Sequence, residues 1–129
     1  MTLPSRRVAL AAALLCCAGR AWAQDGFVGT WRGHAVNAFG QQMPTEVIFM
    51  PNGTYTAAAQ TGNAMTRHWG RYEVAGNQIR LFLHGAEPRQ FCGPVGCTRI
   101  AWPETETWTV TRFDGRTLET PTGRLQRMP

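Results

Sequence analysis

Three histidines, a pair of glutamates and a pair of cysteines are the residues of this chain whose types and spacing could do chemistry. His34, His68 and His84 lie in three different stretches, and a metal or haem site would need them to converge with further ligands at matching spacing. No spacing in the sequence brings them together, so no metal and no cofactor is expected. Glu104 and Glu106 share one face of a strand-like run, the placement an acid/base pair would require. Thr105 and Thr107 alternate with them, and that pattern reads more simply as a solvated strand edge. Beyond residue 23 there is no serine, and no lysine occurs anywhere, which removes two common nucleophiles. No catalytic residue is assigned, and the chain is expected not to be an enzyme.

Cys92 and Cys97 sit in the stretch RQFCGPVGC, residues 89–97. A redox pair has two intervening residues rather than four, and a zinc site needs two more ligands. In an exported chain, an even pair closing a short Gly/Pro loop is most simply a disulfide. So short a loop stabilises by only about 2 kcal/mol in the chain-entropy picture.

Aromatic residues are the better lead. Trp69, Trp102 and Trp108 exceed what a small β-barrel needs for its core, and Trp102 and Phe91 flank the cysteine loop. One reading makes Tyr55, Tyr72, Phe91 and Trp102 the border of a barrel mouth that binds a small apolar ligand. The alternative is an interaction protein, for instance an inhibitor of a secreted hydrolase, that offers the Cys92–Cys97 loop to a secreted or periplasmic protein. A cavity separates the two. Inward-facing Phe49, Tyr55, Leu81 and Trp108 favour a filled core, whereas Ala57 and Ala59 leave room at one side.

The elements that must position these residues begin after residue 23. Arg6 and Arg7, the apolar run from Val8 to Ala18 and the Ala21-Trp22-Ala23 site form the three parts of a secretory signal peptide. The apolar run is too short for the ~20 residues of a transmembrane helix. A large Leu15 before Cys16 argues against a lipid anchor. The expectation is therefore a periplasmic or secreted protein with no transmembrane segment in the mature chain, and one domain over residues 24–129. Arg6, Arg7 and Arg20 leave with the peptide, so ten of the thirteen arginines face eight acids. Those ten fall singly along the chain, which excludes a nucleic-acid footprint.

No helical period is visible in that domain. Short alternating runs are cut by turn dipeptides instead: Thr30–Asn37, Thr45–Phe49, Thr54–Ala57, Arg67–Val74, Gln78–Leu83, Glu104–Thr111, Thr117–Glu119 and Arg124–Arg127. Asn52-Gly53 is a strong hairpin signal. Tyr72, Val74, Ile79, Leu81 and Leu83 make the best core face. After Gly85 the alternation lapses for about eighteen residues, which reads as one long loop stapled by the cysteines. The fold class is all-β: an antiparallel up-and-down meander of about eight strands, closing into a small barrel to remove its edges.

Phe27-Val28-Gly29-Thr30-Trp31 followed by such a meander resembles the lipocalin-like (calycin) superfamily of small β-barrels. The resemblance implies that Gly29 and Trp31 lie at the closed barrel end and that a basic residue of the last strand, Arg124 or Arg127, crosses the indole. The chain lacks the Thr-Asp-Tyr segment and C-terminal helix of true lipocalins and is far shorter, which argues against a roomy cavity. It is similar to small secreted bacterial barrels in which a Gly-x-Tyr-x-Val-x-Gly-Asn hairpin recurs, here Gly70 to Asn77; that pattern implies a fold and no activity. Nitrobindin-type barrels also begin Gly-x-Trp-x-Gly, but the rest of their pattern is absent and no haem is assigned to His34.

Overall fold

The computed structural model describes residues 25–129; the signal-peptide expectation for residues 1–23 lies outside them. Eleven strands occur among the described residues: β1 Gly29–Val36, β2 Gln42–Phe49, β3 Thr54–Thr61, β4 Ala64–Ala75, β5 Gln78–Glu87, β6 Gln90–Gly93, β7 Gly96–Arg99, β8 Thr105–Thr109, β9 Arg112–Phe113, β10 Thr117–Thr120 and β11 Gly123–Arg127. Nine of them form one antiparallel sheet in the order β8-β5-β4-β3-β2-β1-β11-β10-β9.

The two edges of this sheet, β8 and β9, are consecutive in the chain with only Val110 and Thr111 between them. Val110 N–H donates to the Asn77 carbonyl at one side, and Thr111 N–H to the Glu119 carbonyl at the other. Residues 105–113 therefore leave the ladder of β5 and join that of β10, and the sheet closes through chain continuity. Counted as one bent strand, that segment makes the eight-stranded up-and-down barrel the alternation implies.

Turn chemistry holds the hairpins. Asn52 Oδ1 accepts from the backbone N–H and the hydroxyl of Thr54. The Asp114 carboxylate accepts from the backbone N–H groups of Thr117 and Arg116, which hold its pKa below the usual carboxylate range.

One end of the barrel is filled. Trp31 is 0% exposed, packed with Phe27, Phe49, Tyr72, Leu118 and the partly buried Phe113. Its indole N–H donates to the Phe27 carbonyl at 2.9 Å. Arg127 lies across the indole face, its guanidinium carbon 4.5 Å from the ring centroid, and donates to the carbonyls of Gly26, Val28 and Gly115. Arg124 points to the outer side and pairs with Glu119 at 3.3 Å. Of the two candidates, Arg127 is the residue that crosses the tryptophan.

The two glycines around Trp31 now have separate reasons. A Cβ on Gly29 would stand 2.6 Å from Arg127 Nη1, and a Cβ on Gly33 would stand 2.0 Å from the Arg124 carbonyl oxygen. The first clears space for the guanidinium, and the second lets β1 lie close against β11.

Two features depart from the sequence reading. The stretch after Gly85 is not one structureless loop: β5 runs on to Glu87, and β6 and β7 form a separate hairpin with Cys92 opposite Cys97 in a disulfide. All eight residues of that hairpin are exposed, so it has no inside–outside period to read. The register of β4 against β5 also shifts between Trp69 and Gly70, which leaves His84 as the extra residue and moves the inward phase from Leu83 to Ala86. Trp69 fills the outer surface over Gly85, where a Cβ would stand 2.4 Å from its ring.

Replacing Trp31 by alanine should cost about 3 to 5 kcal/mol in urea denaturation, the range for a large buried aromatic. A loss below about 1 kcal/mol would mean that the indole does not fill the barrel end.

Candidate functional site

At the end opposite Trp31 the inward positions carry small side chains: Ala35 on β1, Thr45 on β2, Ala57 and Ala59 on β3. A cavity of about 400 Å³ opens there and passes into the core at Val47, Leu118 and Leu125. The filled core favoured by the aromatic count holds for one half of the barrel, and the alanines decide the other. Strands β4 and β8 bring His68, Glu106 and Trp108 to the cavity wall, and Met43 and the β10–β11 turn supply part of its lining.

A compact polar group surrounds His68, and of its members Tyr55 and Trp102 stand outside the cavity lining. The Tyr55 hydroxyl lies 2.9 Å from His68 Nδ1, and the two rings meet edge to face with centroids 5.5 Å apart. Trp102 packs against His68 from the segment that returns to β8, with ring centroids 5.8 Å apart, and its indole N–H donates to the Pro88 carbonyl at 2.9 Å. Glu106 Oε1 accepts from the Trp108 indole N–H at 3.0 Å.

Burial sets the protonation of this group. It pushes the Tyr55 hydroxyl well above the ordinary tyrosine pKa, with the Glu106 carboxylate adding to the effect. It also pulls His68 below its ordinary 6.5, with Glu106 opposing the shift. Tyr55 therefore keeps its proton and shares a hydrogen bond with Nδ1 of a neutral His68, the imidazole tautomer setting which of the two donates. Such a pair orients a polar group; it does not make a phenolate nucleophile.

The four aromatics read as ligand contacts separate. Tyr55 and Trp102 converge on His68. Tyr72 does not border the mouth: it is buried in the filled half, its ring 4.7 Å from Phe49 and its hydroxyl donating to the Met50 carbonyl at 3.3 Å. Tyr55 faces Gly70 across the ladder, so Tyr72 stands two residues nearer the closed end. Phe91 is 47% exposed on the β6–β7 hairpin, outside the cavity lining.

Two residues of the site were not legible as such. His68 read as one of three scattered histidines, and of the three it alone is not exposed, for His34 and His84 both face solvent. Glu106 read with Glu104 as a solvated edge; Glu104 is exposed, but Glu106 lines the cavity. The signal was present in the alternation, because Glu106, Trp108 and Val110 share a parity and a tryptophan on that face belongs inside. Among the described residues, no group of three or more histidines, cysteines or carboxylates is placed to hold a metal ion.

No family model and no curated protein matches the sequence. Among solved structures, the chain is similar to a lipocalin-like protein from Bacteroides uniformis, with 18% identity and a TM-score of 0.48 over 80% of this chain and 99% of that one.

A pH prediction follows from His68. Its folded pKa lies below the unfolded 6.5, so the unfolded state takes up the proton first and stability falls as pH drops from about 6.5 towards the folded value. Urea denaturation at pH 7.5 and pH 5 should show a larger loss for the wild type than for His68→Gln. Equal losses in the two proteins would mean that His68 is not held neutral.

Proposed function

We propose that this chain is a non-catalytic binding protein that takes up small, largely apolar molecules through the open end of its barrel. The observation that carries the reading is the cavity of about 400 Å³, within the size range of small-molecule sites. Its wall combines alanine, valine, leucine and methionine with a few polar groups, His68 and Glu106 among them. That is the composition by which a pocket gains affinity from apolar contact and orientation from hydrogen bonds. A periplasmic or secreted location goes with this reading, supported by the signal-like pattern of residues 1–23 and by the Cys92–Cys97 disulfide.

A second reading has its own observation. The tip of the β6–β7 hairpin presents a fully exposed Val95 and a half-exposed Phe91, the kind of apolar loop that anchors a protein partner. In that case the protein would act as an interaction module, such as an inhibitor of a secreted hydrolase, and the cavity would be incidental.

Titration with the neutral dye prodan separates the two. The first reading expects saturable fluorescence enhancement, weakened about tenfold or more by Ala59→Phe and unchanged by Val95→Ala. Absence of prodan binding, or binding abolished by Val95→Ala, would move the function to the hairpin.

A further inference from the structure

We propose that the cavity selects organic cations: small apolar molecules bearing a protonated amine whose ammonium group pairs with Glu106. This rests on the reading of the cavity as a small-molecule site and specifies the ligand class.

Among the described residues, Glu106 is the one carboxylate that lines the cavity, and no arginine lines it. The excess of arginine over acid in the described chain is thus confined to other surfaces, and the interior of the barrel mouth carries the opposite sign. Four of the seven other side-chain carboxylates of the described residues meet arginines: Glu46 with Arg32, Glu73 with Arg71, Asp114 with Arg112, and Glu119 with both Arg112 and Arg124. Glu106 enters none of these pairs. Its hydrogen-bond donor is the indole N–H of Trp108, on Oε1, whereas a carboxylate has about four lone-pair sites to satisfy.

Glu106 is half-buried in the cavity wall, so its attraction for a cation brought into contact with it there is screened less than at a fully exposed carboxylate. Neutral ligands gain no such term, and anionic ligands are repelled. The two perturbed neighbours report the same sign of potential: Glu106 works against ionisation of Tyr55 and in favour of protonation of His68. Trp108 adds an aromatic surface next to the carboxylate, where an ammonium group gains a cation–π contact. Across the barrel from these groups the wall is Val47 on β2 and Ala57 on β3, which suits a hydrocarbon body. The ligand would lie with its charged head at β8 and its apolar body towards β2 and β3.

Displacement of prodan by a matched series with one hydrocarbon body and three heads, octylamine, octanol and octanoate, tests this. Octylamine is expected to compete about tenfold or more better than octanol, with octanoate the weakest. Glu106→Gln should erase the advantage of the amine and leave octanol unchanged within about twofold. The wild-type series decides the question even if that variant fails to fold. Prodan binding without a preference for octylamine, or a preference that survives in folded Glu106→Gln, overturns the proposal and leaves the binding function standing. Absence of prodan binding overturns both.

Discussion

The contact of Arg127 with Trp31 is the constraint on which the barrel depends. A meander closed by chain continuity has no ladder across its seam, because β8 and β9 pair with β5 and β10 and not with each other. The last strand already pairs with the first in a continuous ladder, and a side-chain tie at the end of that ladder can fasten both to the neighbouring segments. Arg127 does this from one position, with its guanidinium plane on the indole and its N–H groups on the carbonyls of Gly26, Val28 and Gly115. A cation over an indole contributes about 0.5 to 2 kcal/mol. The larger effect is that three part-buried carbonyls from two distant parts of the chain find donors on one side chain. A lysine could not replace it, since an ammonium has no planar fork to reach several carbonyls while stacking.

That latch divides the barrel in two. Around it, Phe27, Phe49, Tyr72 and Phe113 pack ring against ring over Trp31, and Ile79 and Leu81 are fully buried beside them. This half holds most of the apolar burial, and with it most of the hydrophobic stabilisation. The other half gives up dispersion contacts wherever Ala57 and Ala59 face the interior. Polar groups are tolerated there because they are satisfied: among the described residues, no buried side-chain nitrogen or oxygen lacks a hydrogen-bond partner. A closed, apolar end thus provides the rigidity against which an open, partly polar end can keep a fixed shape.

How much of this was legible follows from what each feature depends on. Strands β1 to β5 and the turns between them depend on local alternation and turn residues, and both are written in the sequence around Asn52-Gly53 and Gly76-Asn77. The depth of a side chain along the barrel depends on register between strands. Tyr55 and Tyr72 both face inward, yet only the pairing of Tyr55 with Gly70 places one beside His68 and the other beside Phe49. No window of a single strand contains that information. Glu106 shows the opposite fault: its parity with Trp108 was readable, but the flanking threonines, which suit a solvated edge, outweighed it. The β6–β7 hairpin was illegible for a third reason, since a ribbon exposed on both faces has no buried face to impose a period.

The hairpin is nevertheless connected to the site. It leaves β5 and returns to β8 at the open end, so both of its strands are anchored beside the cavity. It is zipped at its tip by the disulfide, along its length by the pairing of Gln90 with Arg99, and at its base by the Ile100 N–H on the Arg89 carbonyl. Trp102 then closes the base through its indole N–H on the Pro88 carbonyl and lays its ring against His68. The imidazole that orients the polar side of the cavity is therefore gripped between Tyr55, which belongs to the barrel, and Trp102, which belongs to the hairpin. The cavity wall and the base of the exposed hairpin thus meet at His68, which touches Tyr55 on one side and Trp102 on the other.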